Sequence, residues 1–328
     1  LTALAGSLVA TSVFAGEMSV SGSAGINWEG QDKTTSGNTF RMADSITFSG
    51  GGEMDNGWTV AASFELDQGV ADTKAGAVAA GPFDSHSFTV GMGDLGSITF
   101  AGHGGSSAMG AVDDVMPTAY EEPWDILNTS TTGGATGGVE TAVASAGAIG
   151  SAGDDNMFSY NNSALVDGLS LTVSYLPSDA TYTAGATDVA IAYTGVEGLT
   201  VGWAQGENGL SGTSAIDSET MYIKYAYGPV TVGYQESSQE ANGTTNDDEY
   251  TSMGVSYAVN DSLSISYGVT EYDDKNSTSD QETTALGFSY TMGSMTLAGA
   301  HATVDNQGHS AAAINDVTGY ELDLSFAF

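Results

Sequence analysis

Met221-Tyr-Ile-Lys-Tyr-Ala-Tyr227-Gly-Pro-Val230-Thr-Val-Gly-Tyr234 is the stretch from which the architecture is read. In an extended chain Met221, Ile223, Tyr225 and Tyr227 fall on one side, Gly228-Pro229 reverses direction, and Val230, Val232 and Tyr234 resume the same side. A hydrophobic period of two marks strands, and the short glycine-containing link joins them as a hairpin. The opposite side of the hairpin holds Tyr222, Lys224, Ala226, Thr231 and Gly233, so only one face is consistently greasy.

The same pattern extends outward in both directions. Downstream it recurs in Met253, Val255, Tyr257, then Leu263, Ile265, Tyr267, then Leu286, Phe288, Tyr290, and it closes with Tyr320, Leu322, Leu324, Phe326 and Phe328. Upstream it appears in Leu199, Val201, Trp203, in Leu169, Leu171, Val173, in Trp58, Val60, Ala62, Phe64, and in Met18 and Val20. The pattern predicts an all-β fold of about sixteen strands. Their connections alternate in length: Asp55–Gly57, Gly93–Gly96, Gly195–Gly198, Asn260–Asp261 and Gly293–Ser294 are short, whereas Asp67–Asp84, Pro177–Thr187, Glu236–Asp248 and Asp305–Thr318 are long. A β-sandwich gives no reason for this parity, but a membrane barrel with tight turns on one rim and loops on the other does.

The second face of nearly every strand is Ser, Thr, Gly, Asn or acid, which cannot build the dry interior of two packed sheets. Closing the sheet around water places the polar face against solvent and the apolar face against lipid, and it leaves no edge unpaired. A 16-stranded antiparallel transmembrane β-barrel is therefore expected. Tyr193, Tyr227, Tyr257 and Tyr290 each precede a short turn and Trp58 follows one, which predicts an aromatic girdle at a single rim.

Composition agrees with a pore and excludes other classes. The chain of 328 residues carries 41 Asp plus Glu against 5 Lys plus Arg, a formal charge of −36. Such a surface cannot neutralise phosphates, so nucleic acid is excluded as a partner, and cations are the ions it attracts. Cysteine is absent, which removes disulfides and thiolate chemistry. No run of about 18 apolar residues is present to form a membrane helix. Residues 1–15, apolar and ending in Val13-Phe14-Ala15, read as the C-terminal part of a secretory signal peptide, with a single barrel domain over 16–328.

One interval leaves the pattern. Between Gly102 and Asp154 the chain carries Asp113, Asp114, Glu121, Glu122 and Asp125 around Pro117, Tyr120, Pro123 and Trp124, then a Gly/Ala/Thr-rich tail. A loop of about fifty residues in a compact domain needs a role. Residues 103–154 are expected to fold into the barrel and narrow it. Asp113, Asp114, Glu121, Glu122 and Asp125 are then the candidate constriction acids, acting as acid rings do in cation channels. Glu65 on the polar side of its strand joins them. Strand parity makes Arg41 and Lys224 the wall cations, since Lys33, Lys74 and Lys275 fall in long loops.

Asp113, Asp114, Glu121 and Glu122 are also hard oxygen donors suited to Ca²⁺, although no loop has EF-hand spacing or a Gly-Asp nonapeptide repeat. No cofactor is required. His86, His103, His301 and His309 have no metal-ligand spacing, and no Gly-x-Ser-x-Gly elbow is present, so catalysis is not expected.

The opening Gly16-Glu-Met-Ser-Val-Ser-Gly22, the loop Asp113-Asp-Val-Met-Pro-Thr-Ala-Tyr-Glu-Glu122 and the ending Leu322-Asp-Leu-Ser-Phe-Ala-Phe328 resemble Gram-negative general porins of the alphaproteobacterial, Rhodobacter type. The resemblance covers nearly the whole chain after residue 15. It implies a homotrimer in the outer membrane, a third loop folded into each lumen, and passive diffusion of small hydrophilic solutes. It also implies that Phe328, with Tyr320, Leu322, Leu324 and Phe326, is read by the barrel assembly machinery. The family sets loop acids against a basic wall cluster, and five basic residues in the whole chain depart from that pattern toward a cation-preferring channel. Two other readings fit the same residues: a secreted or surface Ca²⁺-binding β protein of adhesin or S-layer type, and a substrate-specific outer-membrane channel.

Overall fold

The computed structural model describes residues 18–32, 39–67, 83–112, 115–123, 155–179, 182–212, 215–241, 247–275, 277–307, 309 and 316–328. The expected signal segment 1–15 lies outside them. Sixteen strands follow in order: β1 (Met18–Gln31), β2 (Thr39–Glu53), β3 (Thr59–Asp67), β4 (Ser85–Gly91), β5 (Ser97–His103), β6 (Met157–Val166), β7 (Leu169–Leu176) and β8 (Ala186–Val196). The second half is β9 (Leu199–Glu207), β10 (Ile216–Tyr227), β11 (Val230–Ala241), β12 (Asp247–Asn260), β13 (Leu263–Asp274), β14 (Gln281–Met292), β15 (Met295–Asp305) and β16 (Val317–Ala327). Each strand pairs with its sequence neighbours, and β16 pairs antiparallel with β1 to close the barrel.

The two faces separate as the alternation requires. Phe40, Met42, Ile223, Met253 and Leu286 point outward and are exposed, whereas Ser174, Thr220, Gln235, Ser252 and Thr270 on the inner face are buried. Inner hydroxyls satisfy one another across strands: Ser23 Oγ with Ser45 Oγ at 3.1 Å, Thr89 with Thr99 at 2.8 Å, and Thr220 with Ser237 at 2.6 Å. This cross-strand pairing is how a polar interior avoids orphaned groups where water is displaced. Tyr193, Tyr227, Tyr257 and Tyr290 are all exposed beside short turns, as expected for the girdle.

The short rim also contains a link the alternation had not separated, Asp167-Gly168 between β6 and β7, where Gly168 has φ +75°. At the other rim the strands run further than the sequence pattern indicated. Glu236–Asp248 was expected as a long loop, yet β11 continues to Ala241 and β12 begins at Asp247, with Glu240 opposite Asp247. Both faces of these extensions are polar, so the period-two signal vanishes although the ladder of backbone hydrogen bonds goes on.

Candidate functional site

The described part of the long loop, residues 104–112 and 115–123, lies inside the barrel and follows its wall. It leaves β5 at His103, whose Nδ1 hydrogen-bonds Asp155 where the chain returns toward β6. The Ala108 amide then donates to Ser174 Oγ on β7 at 2.6 Å. A single 3₁₀ turn, Gly110–Val112, follows, and Gln235 Nε2 on β11 donates to the Val112 carbonyl at 3.2 Å. Further on, the Ala119 amide donates to Ser266 Oγ on β13 at 2.9 Å. Loop residues Ala108, Met109, Val112, Val115 and Met116 are buried in one apolar cluster with wall residues Ala190, Ala204, Tyr222 and Ala285. Wall side chains thus supply the polar partners that an irregular backbone needs where it is shielded from water.

Beyond Ala119 the loop reaches the closing strand. The Tyr120 hydroxyl donates to Glu321 on β16, and Glu121, Glu321 and Asp323 all act on the phenol. Its pKa is raised above the ordinary value, chiefly by burial and then by these carboxylates. Thr118 Oγ1 accepts from the Tyr120 amide at 3.1 Å and donates to the Glu121 carbonyl at 2.8 Å, which fixes this tight segment. Glu321 also accepts from Asn27 Nδ2 on β1 at 2.6 Å and stands opposite Glu29, which is 7% exposed.

The candidate residues read from sequence are distributed around this loop. Glu121 is half-buried beside Tyr120, and Glu122 is 5% exposed within electrostatic range of Lys224. Lys224 is on the inner face of β10 with its ammonium 5.9 Å from the Tyr222 ring centre. Glu65 is on the inner face of β3, where it accepts from Ser85 Oγ at 3.0 Å. The backbone of Arg41 pairs with Asn27 on β1, but its side chain lies outside the described set, as do Asp113, Asp114 and Asp125. Among the described residues, no group of three or more His, Asp or Glu is arranged to hold a metal ion. On β16 the side chains Tyr320, Leu322, Leu324 and Phe326 alternate outward from Glu321 and Asp323, and Phe328 ends the chain exposed.

Two groups of residues went unnoticed at the sequence level. Glu29, Glu321 and Asp323 form an acidic inner wall on β1 and β16; in sequence Glu321 and Asp323 are acids at the polar positions of the closing strand, and Glu29 reads as the start of the long connection to Thr39. The second group is the glycines beneath the loop. A methyl group at Gly233 would stand 2.4 Å from Pro117 Cδ, one at Gly268 2.6 Å from Pro123 Cγ, and one at Gly206 2.5 Å from Met109 Cγ.

The barrel has clear counterparts. The anion-selective porin from Comamonas acidovorans superposes with a TM-score of 0.67 at 15% identity, covering 95% of this chain and 100% of that one. OmpT of Vibrio cholerae in its trimer form gives 0.65 at 12% identity, with 96% and 100% covered. A mutant of the Rh. blastica porin gives 0.63 at 13%, with 95% and 100% covered. No curated protein sequence matches significantly. Residues 1–310 match the Gram-negative porin family, and with the closed barrel, the greasy outer face and the loop in the lumen, the chain belongs to that family and forms a channel in the outer membrane.

Proposed function

We propose that the channel passes small hydrophilic solutes and prefers cations. The observation that carries this reading is the charge beside the loop, where Glu121 on the loop and Glu321 and Asp323 on the wall gather around Tyr120, with Glu29 opposite Glu321 on β1. Lys224, a cation of the inner wall, acts on buried Glu122 and so is offset locally. Fixed carboxylates raise the local concentration of cations and depress that of anions. The Comamonas porin of similar fold is anion-selective, so selectivity follows side chains and not the barrel itself.

The same reading includes a homotrimer, the state recorded for the Vibrio OmpT, and a Rhodobacter-type affinity within the family. Tyr320, Leu322, Leu324, Phe326 and Phe328 then serve as the assembly signal. Ca²⁺ held by Asp113, Asp114, Glu121 and Glu122 belongs to this proposal as a structural ion of the loop, requiring no catalytic cofactor. The test is the zero-current potential of single channels across a KCl gradient. A potential of the sign set by potassium supports the reading, and one set by chloride overturns it.

A further inference from the structure

Three glycines beneath the loop are consecutive neighbours across the sheet: Gly233 on β11 stands opposite Gly254 on β12, which stands opposite Gly268 on β13. The row continues through Ala285, Ala302 and Gly319, so six successive wall positions carry nothing larger than a methyl group. Lys224 bounds it on β10. All these positions face the lumen, because Val232, Met253, Tyr267 and Leu286 beside them are exposed on the outer face.

Two prolines sit on this row. A Cβ at Gly233 would meet Pro117 Cδ at 2.4 Å, and a Cβ at Gly254 would meet the Pro117 carbonyl oxygen at 3.0 Å and Cδ at 3.1 Å. A Cβ at Gly268 would meet Pro123 Cγ at 2.6 Å. Proline cannot donate a backbone hydrogen bond and its φ is fixed, so it suits a segment laid flat on a wall that offers no acceptor. We propose that Gly233, Gly254 and Gly268 set the width of the pore: they let the loop lie against the backbone of β11–β13, and any side chain there moves the loop toward the barrel axis. Non-bonded carbons approach to about 3.5–4.0 Å, so a methyl group at Gly233 requires a shift of about an ångström, directed into the lumen. This inference holds whichever ion the channel prefers.

The test is single-channel conductance in symmetric KCl, with the size limit for neutral sugars measured by liposome swelling. Gly233→Ala and Gly268→Ala are expected to lower both, while Gly50→Ala, where a Cβ meets nothing within 4 Å, leaves both unchanged. Removing the opposing ring restores them, in Gly233→Ala with Pro117→Ala and in Gly268→Ala with Pro123→Ala. A purely structural role would lower heat stability without this pairwise rescue of pore size. Wild-type conductance in assembled Gly233→Ala and Gly268→Ala overturns the proposal. So does a reduction that the matched proline variant fails to reverse, or failure of both the single and the matched double variant to assemble.

Discussion

Tyr120 joins the loop to the wall through one hydrogen bond to Glu321, in surroundings that disfavour its ionisation. Its pKa in the folded protein lies above the ordinary value of 10.0, so its contribution to holding the loop is complete below pH 10 and is lost as pH rises through the folded value. Conductance and loop protection from protease should hold steady from neutrality to that point and change only in stronger alkali. Tyr120→Phe should lose the alkaline response and loosen the loop by about 1.5–3 kcal/mol, the net worth of a hydrogen bond to a charged group. An alkaline transition that persists in Tyr120→Phe would assign the response to another group. Lys224 makes a second case at this scale, because Glu122 is buried within its range. Lys224→Gln removes both a lumen cation and the charge acting on that carboxylate, and because Lys224 is itself only half-buried, solvent screens the loss well below the cost of splitting a fully buried pair. The expected result is a stronger cation preference together with noisier single-channel current. Unchanged noise would mean that the loop does not depend on this pair.

At the level of strands, the long rim is where like charges are forced together. Glu271 on β13 stands opposite Glu282 on β14, which stands opposite Asp305 on β15. Directly opposed like charges destabilise a strand pair. Glu282→Gln should therefore raise the temperature of barrel unfolding at low salt, and the gain should shrink near 1 M salt, where the screening length is about 3 Å. A gain independent of salt would point to β propensity instead of charge. These extensions also show what the sequence reveals and what it hides. Within the membrane band one face is greasy and the other polar, so Met221 to Tyr234 reads as a hairpin without further information. Above the band Glu236–Glu240 and Asp247–Asp248 are polar on both faces and read as loop, although they are strand. The long interval was legible as an inward loop because it breaks a regular pattern. Its seat was not legible, because Gly233, Gly254 and Gly268 become a row only when the register of β11–β13 is known. Glu321 and Asp323 were passed over for a related reason: the final strand draws attention to its outward aromatics, while its inward acids matter only once β16 is seen beside β1 and Tyr120.

For the molecule as a whole, the ratio of 41 acids to 5 basic residues poses a choice between two origins of ion preference. One is the summed field of all the carboxylates around the lumen and the outer rim, and the other is the local charge at the narrowing. Salt separates them, because the screening length is about 10 Å at 0.1 M and about 3 Å at 1 M. Carboxylates on the rim act across many ångströms of water and lose their influence over that range, whereas Glu121, Glu321 and Asp323 stand together around the buried Tyr120 phenol, where loop and wall exclude water. If the narrowing dominates, the cation-to-anion permeability ratio should fall only modestly between 0.1 and 1 M KCl, and Glu321→Gln with Asp323→Asn should lower it at both concentrations. If the global field dominates, the ratio should collapse toward unity in concentrated salt and the double variant should be nearly silent. The burial of Tyr120 among these acids favours the first outcome, because a site that excludes water screens its charges least.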